Sequence, residues 1–439
     1  MPDRSAAARP GGTRQSKLMG VIRVSSGNFL EQYDFFVFGI YAGAIGRSFF
    51  PSGNSAHGEF VSLMLALMTF GAAFLMRPLG ALVLGAYIDA HGRRAGLILT
   101  LGLMSVGTVA IAVLPGYASI GLAAPLLVVI SRLIQGFSAG VELGGVSVYL
   151  SEIATPGHKG FYVSWQSGSQ QIAIIFAAAL GATLNQILDP ATMQAWGWRI
   201  PLLIGCAIIP FLFLVRRSLE ETEAFLTRQN RMTARQIAGS MAANWRVVGL
   251  GMMMVVMTTV SFYLITVYTP TFGRNELHLG ATGLLLVTVL VACSNLFWLP
   301  ISGALSDRIG RRPLLLGCTV LAIVTAYPAV SWLIAHKSFG NLLVVELWLS
   351  FLYAGYNGAM VAYLTEVMPA DVRTAGFSMA YSLATVIGGM TPAICTYLIH
   401  ATGDSAIPGA WMALAAAVGL AAVLLLGPER ERTALKAAA

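Results

Sequence analysis

The chain has 439 residues, of which 56% are hydrophobic and 10% charged, whereas a water-soluble domain carries about 25% charged residues. Water therefore cannot be its main solvent, and the unit to count is an apolar segment of about 20 residues, enough to cross about 30 Å of hydrocarbon. The net charge of +8 raises the question of a nucleic-acid partner, which the placement of the cations answers below.

Residues 1–17 are rich in Ala, Gly and Arg and are expected to form a disordered tail. The apolar stretch that follows is longer than a signal-peptide core and has no evident cleavage site. Six apolar stretches lie near 19–46, 60–87, 95–114, 119–150, 162–187 and 199–215, and six more near 246–272, 280–304, 313–335, 341–366, 375–400 and 408–427. The expected fold is an all-α membrane protein of twelve transmembrane helices. The polar stretch 216–244 is the linker between an N-terminal six-helix unit (18–215) and a C-terminal one (245–427), with residues 428–439 as a second tail.

Helix one carries Asn28, Glu31 and Asp34, three residues apart and so on one face. An ionisable group in hydrocarbon costs about 2.5–3.5 kcal/mol on insertion scales, so each is a functional candidate. Two carboxyls a turn apart disfavour double ionisation, which suits a proton carrier. Either acid also suits a simple bundle-holding pair with Arg77 of helix two or Arg132 of helix four. An arginine in a dry site offers a planar fork of donors that clasps a carboxylate, so Arg132 and Arg77 together predict a cavity for an anion.

Helix four also holds Gly136, Gly140 and Gly144, a ridge of small residues that lets another helix approach. Glu142, ten residues beyond Arg132, is about 15 Å further along at 1.5 Å per residue and is a third candidate for proton coupling. Helix five contributes Gln166 and Gln170, helix seven Tyr268, and helix ten Tyr356 and Asn357. Singly, each suits an interhelical hydrogen bond as well as a ligand contact. Jointly they predict the walls of a central cavity.

The two halves repeat. Gly85-Ala-Tyr-Ile-Asp89-Ala-His-Gly92-Arg93-Arg94 recurs as Gly303-Ala-Leu-Ser-Asp307-Arg-Ile-Gly310-Arg311-Arg312 at an offset of 218, and Tyr149-Leu-Ser-Glu152 as Tyr363-Leu-Thr-Glu366 at 214. Two features in one order at nearly one offset mean a duplicated six-helix unit. The paired acids and arginines at helix ends predict clusters that latch one face of the protein. Of the 27 Lys and Arg, four (Arg47, Arg199, Arg274, Lys337) fall on one side of this topology, two (Arg77, Arg132) inside helices, and the remaining 21 on the other side. That bias places both termini in the cytoplasm and assigns the basic charge to topology and membrane lipid, with no nucleic-acid partner.

Cys206, Cys293, Cys318 and Cys395 stand alone in apolar segments, so neither a disulfide framework nor a metal site is expected. The absence of H-E-x-x-H and G-x-S-x-G strings argues against an enzyme, and the lack of a soluble output segment argues against a sensor. No cofactor is expected.

The parallel six-plus-six repeat with its Gly-x-x-x-Asp-x-x-Gly-Arg-Arg loops resembles the major facilitator superfamily over residues 18–427. Asn28 to Phe36, Arg77-Pro78-Leu-Gly80 and Arg132-Leu-Ile-Gln135-Gly136-Phe137-Ser138 resemble its metabolite–proton symporter family. The stretch Gly144 to Phe161, with Trp165-Gln166 and Val267-Tyr268-Thr269-Pro270-Thr271, is similar to the bacterial citrate–proton symporters within that family. The resemblance implies a monomer of the bacterial inner membrane that takes up citrate, or a close tricarboxylate, with protons by alternating access. The residues by themselves reach only an organic anion and proton coupling.

Overall fold

The computed structural model describes residues 21, 29–53, 55–217, 234–369 and 373–438. Asn28 lies outside them, as do the side chains of Asp89, Arg93 and Arg94. Twelve membrane-spanning helices account for almost all of the described residues. α1 comprises 29–40 and Ala42–Phe49, α2 Ala56–Leu75 and Arg77–His91, and α3 Arg93–Val113. α4 comprises Ala123–Ala139 and Glu142–Ile153, α5 Lys159–Ile187 and α6 Arg199–Arg217. The second bundle is α7 (Trp245–Phe262, a π-helical bulge Tyr263–Tyr268, and Thr269–Asn275), α8 (Ala281–Ile309), α9 (Arg311–Ala335), α10 (Phe339–Val367), α11 (Arg373–Gly389 and Thr391–Thr402) and α12 (Ile407–Ala438). α12 kinks at Gly427, where φ is 65°.

Ten of these helices are long and apolar enough to cross a bilayer, and the bent pair Pro190–Gly197 with Arg199–Leu214 makes an eleventh span. α1 is the twelfth. Large apolar side chains such as Leu75, Val106, Phe211, Phe297, Val324 and Leu425 stand exposed on the outer faces, where a lipid-solvated bundle presents them. A short helix, Ala234–Ala243, lies between the bundles in the predicted linker.

Where spans read as continuous in the sequence, α1, α2, α4, α7 and α11 are interrupted, and in three of them the break has a local cause. Pro78 sits at the start of the second segment of α2 and Pro392 at that of α11; each lacks the N–H that would continue the preceding ladder. α7 widens instead into a π-bulge, a device common at functional sites. The repeat persists in backbone geometry. α2 and α8 end at Gly92 (φ 102°) and Gly310 (φ 89°), a left-handed conformation that favours glycine.

The predicted glycine ridge is in place. A Cβ on Gly136 would strike the Ala73 carbonyl of α2, one on Gly140 the Arg77 carbonyl, and one on Gly144 the Ser378 side chain of α11. On the face that carries the two signature loops, α5 and α8 press together so closely that a Cβ on Gly160 would meet the Gly303 carbonyl, and the reverse. On the opposite face Gly39 of α1 abuts Val267 of α7, and Gly71 and Gly389 bring α2 against α11 through Met390 and Phe74. Both ends of the interface between the bundles are therefore closed, an occluded state.

Candidate functional site

The centre of the first bundle is a buried polar network. The Arg77 guanidinium donates to Glu31 Oε1 at 2.6 Å, the two side chains being 1% and 2% exposed. One turn along α1, Arg132 Nη1 reaches Asp34 Oδ2 at 3.1 Å and Gln135 Oε1 at 2.7 Å. Gln135 Nε2 in turn donates to Asp34 Oδ2 at 2.8 Å and Thr108 Oγ1 at 3.1 Å. Two of the three acids predicted to carry protons, Glu31 and Asp34, thus each face one of the two arginines predicted to hold substrate.

Aromatic faces supply further compensation. Arg132 lies over Phe35, Phe38 and Phe70 at 4.5, 4.2 and 5.6 Å, and Arg77 over Phe35 and Phe74 at 5.1 and 4.7 Å. A desolvated cation–π contact contributes about 2 kcal/mol, which helps to hold two cations in the bundle interior. The network nevertheless leaves donors over. Among the described residues Arg77 Nε and Arg132 Nε and Nη2 have no hydrogen-bond partner. Unmet donors on a buried cation are costly, and a carboxylate satisfies them.

Two spaces lie between the bundles. A vestibule of about 1080 Å³ opens on the face opposite the signature loops, lined by Arg47, Glu59, Arg274, Glu276 and His400 among others. Deeper is a void of about 10 Å³, room for about one water, walled by Gln32, Arg77 and Gln170 from the first bundle and by Thr258, Thr259, Phe262, Tyr263, Tyr381 and Thr385 from the second. Along α1, α2, α7 and α11 the residues between these spaces are Phe35, Phe70, Phe74 and Met390, with Tyr263 packed against Phe70 and Phe74 at 5.9 and 5.2 Å. They form an apolar plug over the polar centre.

Of the residues singled out in the sequence, Arg77 and Gln170 line the void, and Glu31 reaches it through Arg77. Arg132 is absent from the void's wall, because three aromatic rings and Asp34 enclose it. Tyr356 donates to the Met254 carbonyl at 3.0 Å, an interhelical bond between α10 and α7. Asn357 bonds Tyr353 at 3.4 Å, Gln166 accepts from Ser167 at 2.8 Å, and Tyr268 accepts from Thr396 at 3.3 Å. Glu142 is buried at the start of the second segment of α4, beyond the break. These five stand away from the void in the occluded state.

The second signature loop spans the bundles. Asp307 accepts from the Gly160 and Phe161 amides at 2.8 and 3.1 Å, the first turn of α5, where unsatisfied N–H groups favour an anion. Arg311 bridges Asp307 at 2.7 Å and Glu366 at 3.1 Å, and it bonds Ser306. Gly303 is the contact with α5, and Arg312 is half-buried beside this cluster. Of the first loop's residues, Gly85 faces the break in α4, where a Cβ on it would lie 3.8 Å from Val141.

To the interior ionisable residues read from the sequence, Glu31, Asp34, Arg77, Arg132 and Glu142, the structure adds Glu346 of α10, buried at 5% exposure. It is a single charge in an apolar run with no cation at helical spacing, which is why residue patterns passed it over. The void-wall hydroxyls Thr258, Thr259 and Thr385 were missed as well, being ordinary residues in spans. Tyr381 and Thr385, four apart on α11, were the available signal.

Twelve helices in two similar bundles, a buried charged centre between two closures and a charge-latched face define a secondary transporter of the major facilitator fold. The chain belongs to the family described as Sugar (and other) transporter, which it matches over residues 20–240 and 229–436. It is 60% identical to a citrate-proton symporter of Klebsiella pneumoniae over 95% of this chain and 93% of that one. A citrate-proton symporter of Salmonella typhi is 59% identical, with 95% of each chain covered. The xylose transporter XylE from E. coli, in a partially occluded inward-open conformation, superposes with a TM-score of 0.72 over 93% of this chain and 98% of its own. At 17% identity that likeness speaks to the fold alone.

Proposed function

We propose that this chain imports citrate, or a close tricarboxylate, together with protons by alternating access. It works as a monomer in a bacterial inner membrane, with both termini and the signature loops cytoplasmic. Residues 18–215 and 245–427 are the two moving bundles, 216–244 links them, and 1–17 and 428–439 are cytoplasmic tails. The observation that carries this reading is the pair of buried arginine–carboxylate contacts, Arg77 with Glu31 and Arg132 with Asp34, in which both cations keep unmet donors. The 60% identity to a citrate-proton symporter supports citrate as the passenger.

In the empty carrier each acid neutralises an arginine. Protons arriving from the vestibule neutralise Glu31 and Asp34 and free the guanidiniums for substrate carboxylates. Arg77, already on the void's wall, makes the first contact with Gln170 beside it. Arg132 follows once the Phe35, Phe38 and Phe70 faces part. Asn28, Gln166, Tyr268, Tyr356 and Asn357 join as the bundles rearrange, and Glu142 takes part in proton exit toward the cytoplasm. The plug of Phe70, Phe74, Tyr263 and Met390 is the outer gate. The inner gate is the Asp307, Arg311 and Gly303 cluster against α5, joined by Arg312 and by its counterpart Gly85, Asp89, Arg93 and Arg94. Carrying an anion inward against the membrane potential costs about 2.3 kcal/mol per charge per 100 mV, and co-entering protons offset it.

Labelled citrate uptake into proteoliposomes under an inward proton gradient, with tricarballylate and dicarboxylates as competitors, tests this reading. Accumulation above the external concentration supports it. No citrate uptake under the gradient rejects it, and stronger competition by another acid reassigns the passenger.

A further inference from the structure

Glu346 is the buried carboxyl of the second bundle that no cation compensates among the described residues. Its Oε1 accepts from the Thr269 hydroxyl at 2.7 Å, and its Oε2 has no hydrogen-bond partner. The Thr269 hydroxyl of α7 reaches it across the contact between α7 and α10. Among the described residues no Lys, Arg or His forms an ion pair with it. An unpaired carboxylate is far costlier to bury than a neutral carboxylic acid, so the site suits a group that gains and loses a proton.

We infer that Glu346 is a second proton-binding site, lodged in the second bundle, whose occupancy is read by the bulged segment of α7. This deepens the proton-coupled reading above and rests on it. Thr269 Oγ1 lies 2.7 Å from Glu346 Oε1, 3.1 Å from the Ile265 carbonyl and 3.2 Å from the Leu264 carbonyl. The hydroxyl has one hydrogen to give. When Glu346 is ionised, that hydrogen goes to the carboxylate. When a proton binds Glu346, the carboxylic O–H donates to Thr269 Oγ1, and the Thr269 hydrogen is released to the Ile265 or Leu264 carbonyl. Both carbonyls belong to the π-bulge Tyr263–Tyr268.

That bulge holds the outer closure. Tyr263 sits in the plug and on the wall of the void, and Val267 abuts Gly39 of α1. A proton at Glu346 therefore redistributes hydrogen bonds in the segment that must move for the carrier to open outward. Access is short, since Pro270, next to Thr269, lines the vestibule. On the inner side a polar stripe continues along α10 at helical spacing through Ser350, Tyr353 and Asn357. Ser350 donates to Asn295 of α8 at 2.8 Å, and Asn295 donates to Gln171 of α5 at 3.2 Å, so the stripe reaches the other bundle.

The test has two arms. In the first, infrared difference spectra of the full-length protein in lipid are recorded between acid and alkaline pH without substrate. A carboxylic C=O band that disappears on alkalinisation, is absent in Glu346→Gln and is displaced in Thr269→Val is the expected result. Should Glu346→Gln not be recovered folded, the displacement in Thr269→Val decides alone, and a spectrum unchanged in the variants overturns the inference. In the second arm, proteoliposomes report citrate counterflow and protons moved per citrate. Glu346→Gln is expected to keep counterflow and lose one proton per citrate; an unchanged ratio and an unchanged pH profile of uptake overturn the assignment. The infrared arm needs no substrate, so it decides the inference even where citrate proves the wrong passenger.

Discussion

Replacing Glu31 by Gln keeps the shape of the side chain and removes its charge. The 2.6 Å ion pair with Arg77 is lost, while the cation stays 1% exposed on the wall of the void. Breaking one partner of a buried pair costs about 3–5 kcal/mol in soluble proteins, because the surviving charge remains desolvated. The Phe35 and Phe74 faces stay in place and do not make up the difference. If substrate compensates Arg77 when Glu31 does not, part of this cost returns as binding energy. A third of the lower bound is about 1 kcal/mol, roughly fivefold in Kd. The assay is thermal unfolding of the purified carrier in detergent, with and without citrate, at acid and neutral pH. Glu31→Gln should melt below wild type without citrate, gain more from citrate than wild type does, and show a smaller difference in that gain between the two pH values, because Asp34 still exchanges its proton beside Arg132. A variant as stable as wild type, or one that gains no more from citrate, would refute the reasoning and leave Arg77–Glu31 a simple structural tie.

Arg132→Gln should insert into the membrane normally and lose citrate uptake, checked by membrane yield beside transport. Unchanged apparent affinity would make Arg132 a structural cation. Gly160→Ala drives a methyl group into the Gly303 carbonyl and the Arg311 guanidinium, which opposes closure on the signature-loop face. Labelling of cysteines introduced on that face should rise several-fold, since a wedge costing about 1–3 kcal/mol moves a two-state equilibrium by roughly 5- to 150-fold; unchanged labelling would show that the helices absorb the methyl elsewhere.

The twelve spans and the duplicated loops were legible in the sequence because charges are so scarce in this chain that Asp307, Arg311 and Glu366 stand out from apolar filler. The same scarcity made Glu31, Asp34, Arg77 and Arg132 legible as one group. Which acid meets which arginine was not legible, because it depends on how α1, α2 and α4 rotate about their axes. One of these rotations is fixed by the close approach that Gly136 and Gly140 allow between α4 and α2. The breaks in α2 and α11 had signals, Pro78 and Pro392, which apolar length outweighed. Glu346 had none: its partner Thr269 is 77 residues away, and only folding joins them.

The central claim is that the buried arginines are compensated by acids when the carrier is empty and by the passenger's carboxylates when it is loaded, with protons moving onto the displaced acids. Proton uptake on citrate binding, measured by calorimetry of the purified protein in buffers of different ionisation enthalpy, tests it most directly. The account predicts net proton uptake by wild type at neutral pH and a smaller uptake in Asp34→Asn. Citrate binding with no proton uptake would contradict it.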